Sequence, residues 1–154
     1  MIQRIVLSLL FVAAPAFASE ITNASVVAAM NEQRAHAGLP PLREDPRLDA
    51  AAADRMRDME ELGYWAHESP DGRSPFLWLA LGRYPYRFAG ENLATGFETT
   101  ELLVDGWMGS KGHCENILSP DYAHCGIAII DGGTAKRTAG RSVVVMFGSV
   151  RPEP

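Results

Sequence analysis

Two stretches near the C-terminus decide the fold class: HCGIAII at residues 124–130 and RSVVVMFGSV at residues 141–150. Both stretches are apolar and rich in β-branched residues, and the residues between them are mainly Gly, Thr, Ala, Lys and Arg. Strand-forming runs separated by a segment of turn-forming residues are typical of a β-hairpin. We therefore predict two antiparallel strands joined by a turn at the end of the chain.

The residues before this hairpin have a mainly helical pattern. Asp45 is a suitable N-cap, Pro46 suits a first helical turn, and Gly63 is a typical helix end. Apolar residues at three- and four-residue steps and capping residues predict helices over residues 25–37, 46–62, 75–82 and 101–110. An extended segment is predicted over residues 88–95. Helices followed by strands, without βαβ alternation, predict an α+β domain.

The first eighteen residues have the three-part order of a secretory signal peptide. One arginine precedes an apolar run at residues 5–14, and small residues end the segment in Ala-Phe-Ala at 16–18. A membrane anchor is the alternative, but Pro15 interrupts the run well short of the roughly 20 apolar residues that a span needs. We expect residues 1–18 to be removed and residues 19–154 to form one domain that is secreted or periplasmic.

Composition narrows the classes of partner. The formal net charge is −5, and no cluster of Lys and Arg is present. Such a chain has little electrostatic attraction for nucleic acid or for anionic lipid, so neither is an expected partner. No segment after residue 18 is long and apolar enough to span a membrane, so no span is expected in the mature chain.

The chain has two cysteines, Cys114 and Cys125. An isolated pair in an oxidising compartment usually closes a disulfide, and we predict one here. A zinc site is the alternative, because His113 precedes Cys114 and His124 precedes Cys125. Adjacent side chains diverge, whereas zinc ligands are usually spaced by two or more residues, which favours the disulfide.

Three further residues are candidates for a functional site. His67 lies on a loop between helices, Glu91 lies in the extended segment, and His113 follows a glycine that we expect to end a helix. Two imidazoles and a carboxylate suffice for an open zinc site, or for proton transfer near neutral pH. Their spacing alone does not specify a shared site. The alternative is that each makes local hydrogen bonds that stabilise the domain.

The chain resembles the CAP superfamily of cysteine-rich secretory proteins, antigen 5 and pathogenesis-related 1, and in particular its compact bacterial branch. The resemblance covers nearly all of residues 19–154, with the matching segments in family order. The segments are NEQR at 31–34, GLPPL at 38–42, DPRL at 45–48, HESPDG at 67–72, AGENLA at 89–94 and WMGSKGHCENIL at 107–118.

This resemblance implies a three-layer α-β-α sandwich with a mainly antiparallel sheet and a central cleft. Many members line that cleft with two histidines and two acidic residues that can hold a divalent metal, often zinc. His67, Glu91 and His113 match three of these positions. The second acidic position falls at or near Ser110, and Glu115 is a candidate substitute. A basic residue is common in bacterial relatives at the position of Cys114.

The function that follows is that of an exported binding or interaction protein whose cleft can take up a divalent metal such as zinc. Family members have been connected with lipids, peptides and cell-wall contact, but no residue pattern here identifies the ligand. One alternative is a metal-assisted hydrolase in which Glu91 or a histidine activates water. Another is a structural exported domain in which His67, Glu91 and His113 serve stability.

Overall fold

The computed structural model describes residues 19–132 and 140–150. The predicted signal peptide, residues 1–18, and most of the predicted hairpin turn lie outside the described residues. The elements in chain order are α1 (Asn23–His36), β1 (Arg43–Glu44), α2 (Pro46–Leu62), α3 (Leu77–Leu81), β2 (Tyr86–Phe97), α4 (Thr100–Met108), α5 (Lys111–Ile117), β3 (His124–Asp131) and β4 (Arg141–Val150).

The strands form one sheet in the order β1-β3-β4-β2. The predicted C-terminal hairpin is confirmed, because β3 and β4 pair antiparallel from His124 opposite Gly148 to Asp131 opposite Arg141. β2 pairs antiparallel with the other side of β4, and only the two-residue β1 runs parallel to its neighbour. The prediction of an α+β domain with a mainly antiparallel sheet is therefore confirmed.

The continuous apolar run of β4 is explained by burial on both faces of the sheet. Val143, Val145 and Phe147 pack in a core that α1, α4 and α5 cover. Val144 and Met146 pack in a second core, which α2 and α3 cover on the opposite face. Helices on both sides of the central strand give the three-layer α-β-α sandwich that the resemblance implies.

Local capping signals place the long helices. The Asp45 side chain accepts a hydrogen bond from the Arg47 amide at the start of α2, and Gly63 ends the helix with a φ of 69°. Both features follow the prediction. α1 begins two residues before the predicted residue 25, because Thr22 and Ser25 form a reciprocal capping box.

Two short elements have no signal in the sequence pattern, and one apolar side chain of α2 is more exposed than that pattern predicts. Gly112 does not end a helix; it lies inside α5, which the sequence analysis did not predict. This helix has seven residues, too few for a periodic pattern, although Ile117 at its end is fully buried. β1 has two residues and was also missed. Leu62 continues the three- and four-residue spacing of apolar residues along α2, which predicts burial, but its side chain is 52% exposed.

The predicted disulfide is not formed in the structure, where both cysteines are free thiols. Cys125 lies in the centre of the sheet and packs as a small core side chain, a common role for cysteine. Burial raises the pKa of its thiol to about 12. Cys114 lies half-buried on the separate helix α5. The rival zinc site is not formed either: no three such side chains are grouped in the described part of the chain, and Nδ1 of His124 shares a hydrogen bond with the Tyr84 hydroxyl.

β3 approaches the backbone of α2 very closely at Gly126. A Cβ at Gly126 would lie 2.1 Å from the Leu48 carbonyl carbon and 2.2 Å from the Asp49 amide nitrogen. We expect Gly126→Ala to lower the free energy of unfolding by about 1–3 kcal/mol or more, because the backbone must move to admit the methyl group. Urea denaturation measures this change.

The matched control is Gly112→Ala, where nothing lies within 4 Å of the added Cβ. This variant should be neutral or slightly more stable, because alanine favours the helix over glycine. Equal stabilities of the two variants would contradict the close packing of β3 on α2.

Candidate functional site

The site lies on β2, the strand at one edge of the sheet. Glu91 projects toward α2, where its carboxylate meets Arg55. The next residue, Asn92, projects to the opposite face and donates a hydrogen bond to the His113 carbonyl of α5. Because side chains alternate between the two faces of a strand, β2 contacts both helical layers at this edge of the sheet.

The structure brings His67, Glu91 and His113 together. His67 lies on the loop after α2, and its Nδ1 is 2.8 Å from Oε1 of Glu91. The rings of His67 and His113 are tilted by 55° with their centroids 6.3 Å apart. The His67 side chain is 58% exposed and the Glu91 side chain only 1%. The carboxylate therefore lies buried beneath the His67 imidazole.

Arg55, a residue of α2 that was not among the predicted site residues, holds this arrangement in place. Its side chain is fully buried, and Nε donates to Oε2 of Glu91 at 3.0 Å. One terminal nitrogen donates to the carbonyls of Ala66 and His67, and the other donates to the Tyr64 hydroxyl. Arg55 thus fixes both the carboxylate and the backbone that carries the first histidine.

The sequence of α2 does contain a signal that Arg55 is buried. Arg55 follows Ala51 and Ala52 by four and three residues and precedes Met59 by four, all of which are buried. An arginine at such a position must bury its charge with a partner, because an unpaired buried charge is very costly. The sequence could therefore have indicated a buried acidic partner, but not which carboxylate.

Both carboxylate oxygens of Glu91 are engaged by protein groups. Oε2 accepts from Arg55, and Oε1 accepts from Nδ1 of His67. Using Glu91 as a proton acceptor or as a direct metal ligand would weaken at least one of these buried contacts. The arrangement suits a carboxylate that orients an imidazole.

The side of the site formed by α5 is held by hydrogen bonds to the β2 backbone. Asn116 donates to the Glu91 carbonyl at 3.1 Å and to the Asn92 side chain at 2.9 Å. Tyr122 donates to the Ala89 carbonyl at 3.0 Å. A Cβ at Gly90 would lie 2.5 Å from the Tyr122 hydroxyl, so this approach requires glycine. The Gly-Glu-Asn sequence therefore combines clearance, a buried carboxylate and a link to α5.

The two histidines differ in their affinity for protons. The Glu91 carboxylate raises the pKa of His67 above its ordinary value. Burial, with a contribution from the charge of His67, lowers the pKa of His113. The His113 ring makes no hydrogen bond to another described residue, so its nitrogens are free to meet a ligand.

The second acidic position of the family pattern is not filled. Ser110 is the N-cap of α5 and makes no side-chain capping bond. Glu115 does not substitute, since it is largely exposed on α5 and its nearest basic partner is Lys111, 4.0 Å away. Within residues 19–132 and 140–150, no three His, Cys, Asp or Glu side chains are grouped to hold a metal ion.

A cleft opens beside these residues, with a volume of about 450 Å³. Its wall combines apolar and polar side chains, among them Pro75, Phe76, Ala89, His67, Glu91 and Asn116. Mixed walls of this kind are typical of sites that orient a ligand by a few polar groups.

Comparisons with known proteins agree with this architecture. The family model described as "Cysteine-rich secretory protein family" matches residues 27–147. The "Uncharacterized protein YkwD" of Bacillus subtilis (strain 168) is 38% identical over 109 residues, which are 71% of this chain and 42% of that protein. The chain spans less than half the length of the curated relatives it matches.

Solved structures share the fold. An extracellular protein containing an SCP domain from Bacillus anthracis str. Ames matches with a TM-score of 0.69 and 23% identity, over 82% of this chain and 40% of that chain. An outer surface protein from Borrelia burgdorferi matches with a TM-score of 0.72 and 21% identity, over 88% of this chain and 100% of that chain. At these identities the likeness concerns the fold. In the described part of this chain, no helix has the length and apolar character to cross a membrane.

Replacement of Arg55 tests how the site is held together. We expect Arg55→Met to lower the free energy of unfolding by about 3–5 kcal/mol, because it leaves the Glu91 carboxylate buried without its cationic partner. Chemical denaturation measures the loss. Arg57→Met on the same helix is the control, since Arg57 is exposed and should change stability by no more than about 0.5 kcal/mol. Similar losses in both variants would contradict the role of Arg55.

The opposite pKa shifts of the two histidines give a second test. In an NMR titration of the imidazoles, the midpoint of His67 should lie above the ordinary value of 6.5 and that of His113 below it. Protonated His67 is stabilised by Glu91, so its contribution to stability is complete below pH 6.5 and disappears as the pH rises through the raised pKa. Glu91→Gln should lower the His67 midpoint. A reversed order of the midpoints in the wild type would refute the assignment.

Proposed function

The chain belongs to the cysteine-rich secretory protein (CAP) family, and on that premise we propose that it is an exported binding domain whose cleft takes up a divalent metal ion. The observation that carries the proposal is the pair of neighbouring imidazoles, of which His67 lines the cleft and has Glu91 behind it. His67 and His113 are the residues that would hold the ion, and zinc is a metal that suits imidazole donors.

The hydrogen bond between His67 and Glu91 supports this assignment. Nδ1 of His67 donates to the carboxylate, which leaves Nε2 with a free lone pair. Histidines that bind metals usually donate their other ring N–H to a carboxylate or a carbonyl, which fixes the tautomer and the orientation of the ring. Glu91 therefore fits the role of an orienting group better than that of a third ligand.

Two protein donors would leave coordination positions for water or for an oxygen of the bound ligand. The metal would supply Lewis-acid attraction for that oxygen, while Phe76 and Pro75 offer apolar contact in the same cleft. A molecule with a polar or anionic group next to an apolar part is the class of ligand that suits these walls. Lipids, peptides and cell-wall components all include such molecules.

Hydrolysis is supported less well than binding. The base in that alternative is Glu91 or a histidine, and Glu91 already accepts hydrogen bonds on both oxygens from Arg55 and His67. Peptide or ester turnover that disappears in Glu91→Gln would favour the hydrolase.

Export is supported by two independent observations. Residues 1–18 have the pattern of a signal peptide. The structural neighbours include an extracellular protein and an outer surface protein by their own descriptions. We infer that this domain works outside the cytoplasm, where metal ions and extracellular ligands can reach the cleft.

Zinc titration tests the proposal. Zinc should raise the melting temperature of the protein, because a ligand that binds only the folded state stabilises it by mass action, by about 2.7 kcal/mol at a hundredfold excess over the Kd. The increase should be lost in His67→Ala and in His113→Ala. Differential scanning calorimetry at neutral pH measures it.

His36→Ala is the matched control, since His36 lies exposed in the last turn of α1 and should leave the zinc effect intact. A zinc effect of equal size in His113→Ala would refute the cleft site, and an effect that requires Cys114 would place the metal on the thiol. No effect in the wild type would favour the purely structural domain.

A further inference from the structure

The beginning of the described chain is fastened to the start of α4. The Ser19 carbonyl accepts a hydrogen bond from the Thr100 amide at 3.2 Å. The Ser19 hydroxyl donates to Oε1 of Glu101 at 2.6 Å. Two residues later, Ile21 is only 2% exposed and belongs to the core. The segment that follows the expected cleavage position is therefore held against the domain by residues 19 and 21.

The backbone nitrogen of Ser19 faces the carboxylate of Glu101. It lies 3.2 Å from Oε1 and 3.2 Å from Oε2 of Glu101. As part of a peptide bond this nitrogen has a single hydrogen, which the two oxygens share in a bifurcated hydrogen bond. An ammonium group has three hydrogens and a positive charge, so it could donate to both oxygens. The same position therefore suits a charged chain terminus, whose hydrogen bonds to the carboxylate would be stronger than those of the peptide N–H.

Glu101 has no other cationic partner in the part of the chain that the structure describes. No Lys or Arg of residues 19–132 or 140–150 forms an ion pair with it. The nearby Arg141 pairs with Glu20 and Asp131 instead. The hydrogen bond from the Ser19 hydroxyl is the largest cause that lowers the pKa of Glu101 to about 2, and the bond from the Ser19 backbone adds to it. The carboxylate is therefore charged and has Ser19 as its principal partner.

We propose that the mature protein begins at Ser19 and that the α-ammonium group created by cleavage is held by the Glu101 carboxylate. Hydrolysis of the Ala18–Ser19 peptide bond by a peptidase adds one water. The hydroxyl goes to the Ala18 carbonyl carbon, and a hydrogen goes to the Ser19 nitrogen, which takes up a further proton near neutral pH. Processing thereby replaces an uncharged N–H contact with an ion pair.

This inference does not depend on the proposed metal site. It makes the signal peptide more than a targeting segment, because its removal completes a contact of the folded domain. The uncleaved chain lacks the charge and is expected to be the less stable form. Ion pairs at exposed positions are modest, so the expected change is roughly a two- to fivefold change in the unfolding equilibrium constant.

The first experiment expresses the full chain in an exporting bacterium and determines the N-terminus of the purified product by intact mass and N-terminal sequencing. Ser19 is the expected first residue. A product that begins at any other residue would overturn the proposal, whatever its stability.

The second experiment removes the charge from the purified product. Acetylation at mildly acidic pH modifies the α-amine before the lysines, because its pKa is lower. Acetylation should raise the unfolding equilibrium constant roughly two- to fivefold in the wild type and leave it unchanged in Glu101→Gln. Glu98→Gln is the matched control, an exposed carboxylate three residues away that should respond to acetylation like the wild type. An equal effect of acetylation with and without Glu101 would refute the ion pair.

Discussion

The buried guanidinium of Arg55 is the interaction on which the rest of the site depends. A fully buried arginine is tolerated only when its donors meet acceptors, and here they meet a carboxylate, a hydroxyl and two backbone carbonyls. Its planar group also lies 5.0 Å from the centroid of the Trp78 ring. These partners come from β2, from the loop after α2 and from the region of α3. Through this one side chain, the packing of α2 on the sheet determines the position of His67.

The sheet explains why the two histidines come from different layers and still meet. β4 is covered on both faces, so the helices lie on opposite sides of a closed central layer. Only at an edge strand can side chains from the two layers approach each other around the sheet. β2 is such an edge, and Asn116 and Tyr122 bind its outer carbonyls. The location of the cleft is thus set by topology, and its chemistry by the loop and by α5.

The sequence predicted elements whose signals are local and failed where the cause is distant. Asp45, Pro46 and Gly63 bound α2 by short-range capping chemistry, and the apolar runs of the hairpin are explained by burial on two faces. α5 was missed because its main stabilisation is the burial of Ile117 in a core built from other segments. The disulfide was predicted from the expected oxidising compartment and from the number of cysteines. Neither indicates where β3 places the side chain of Cys125. The role of Arg55 required a partner 36 residues away.

Arg55 and Glu91 also set the chemistry of His67 by opposing effects. The carboxylate raises the pKa of the imidazole, whereas the positive charge of Arg55 lowers it. If Glu91 had no buried cation, its carboxylate would favour a protonated histidine more strongly, and a protonated ring cannot bind a metal. The ion pair therefore does two things with one carboxylate: it orients the ring through Oε1 and moderates its attraction for a proton through Oε2. A metal ion or a polar ligand needs a ring with a fixed direction, and in this fold Glu91 sets that direction while the buried Arg55 holds Glu91 in place.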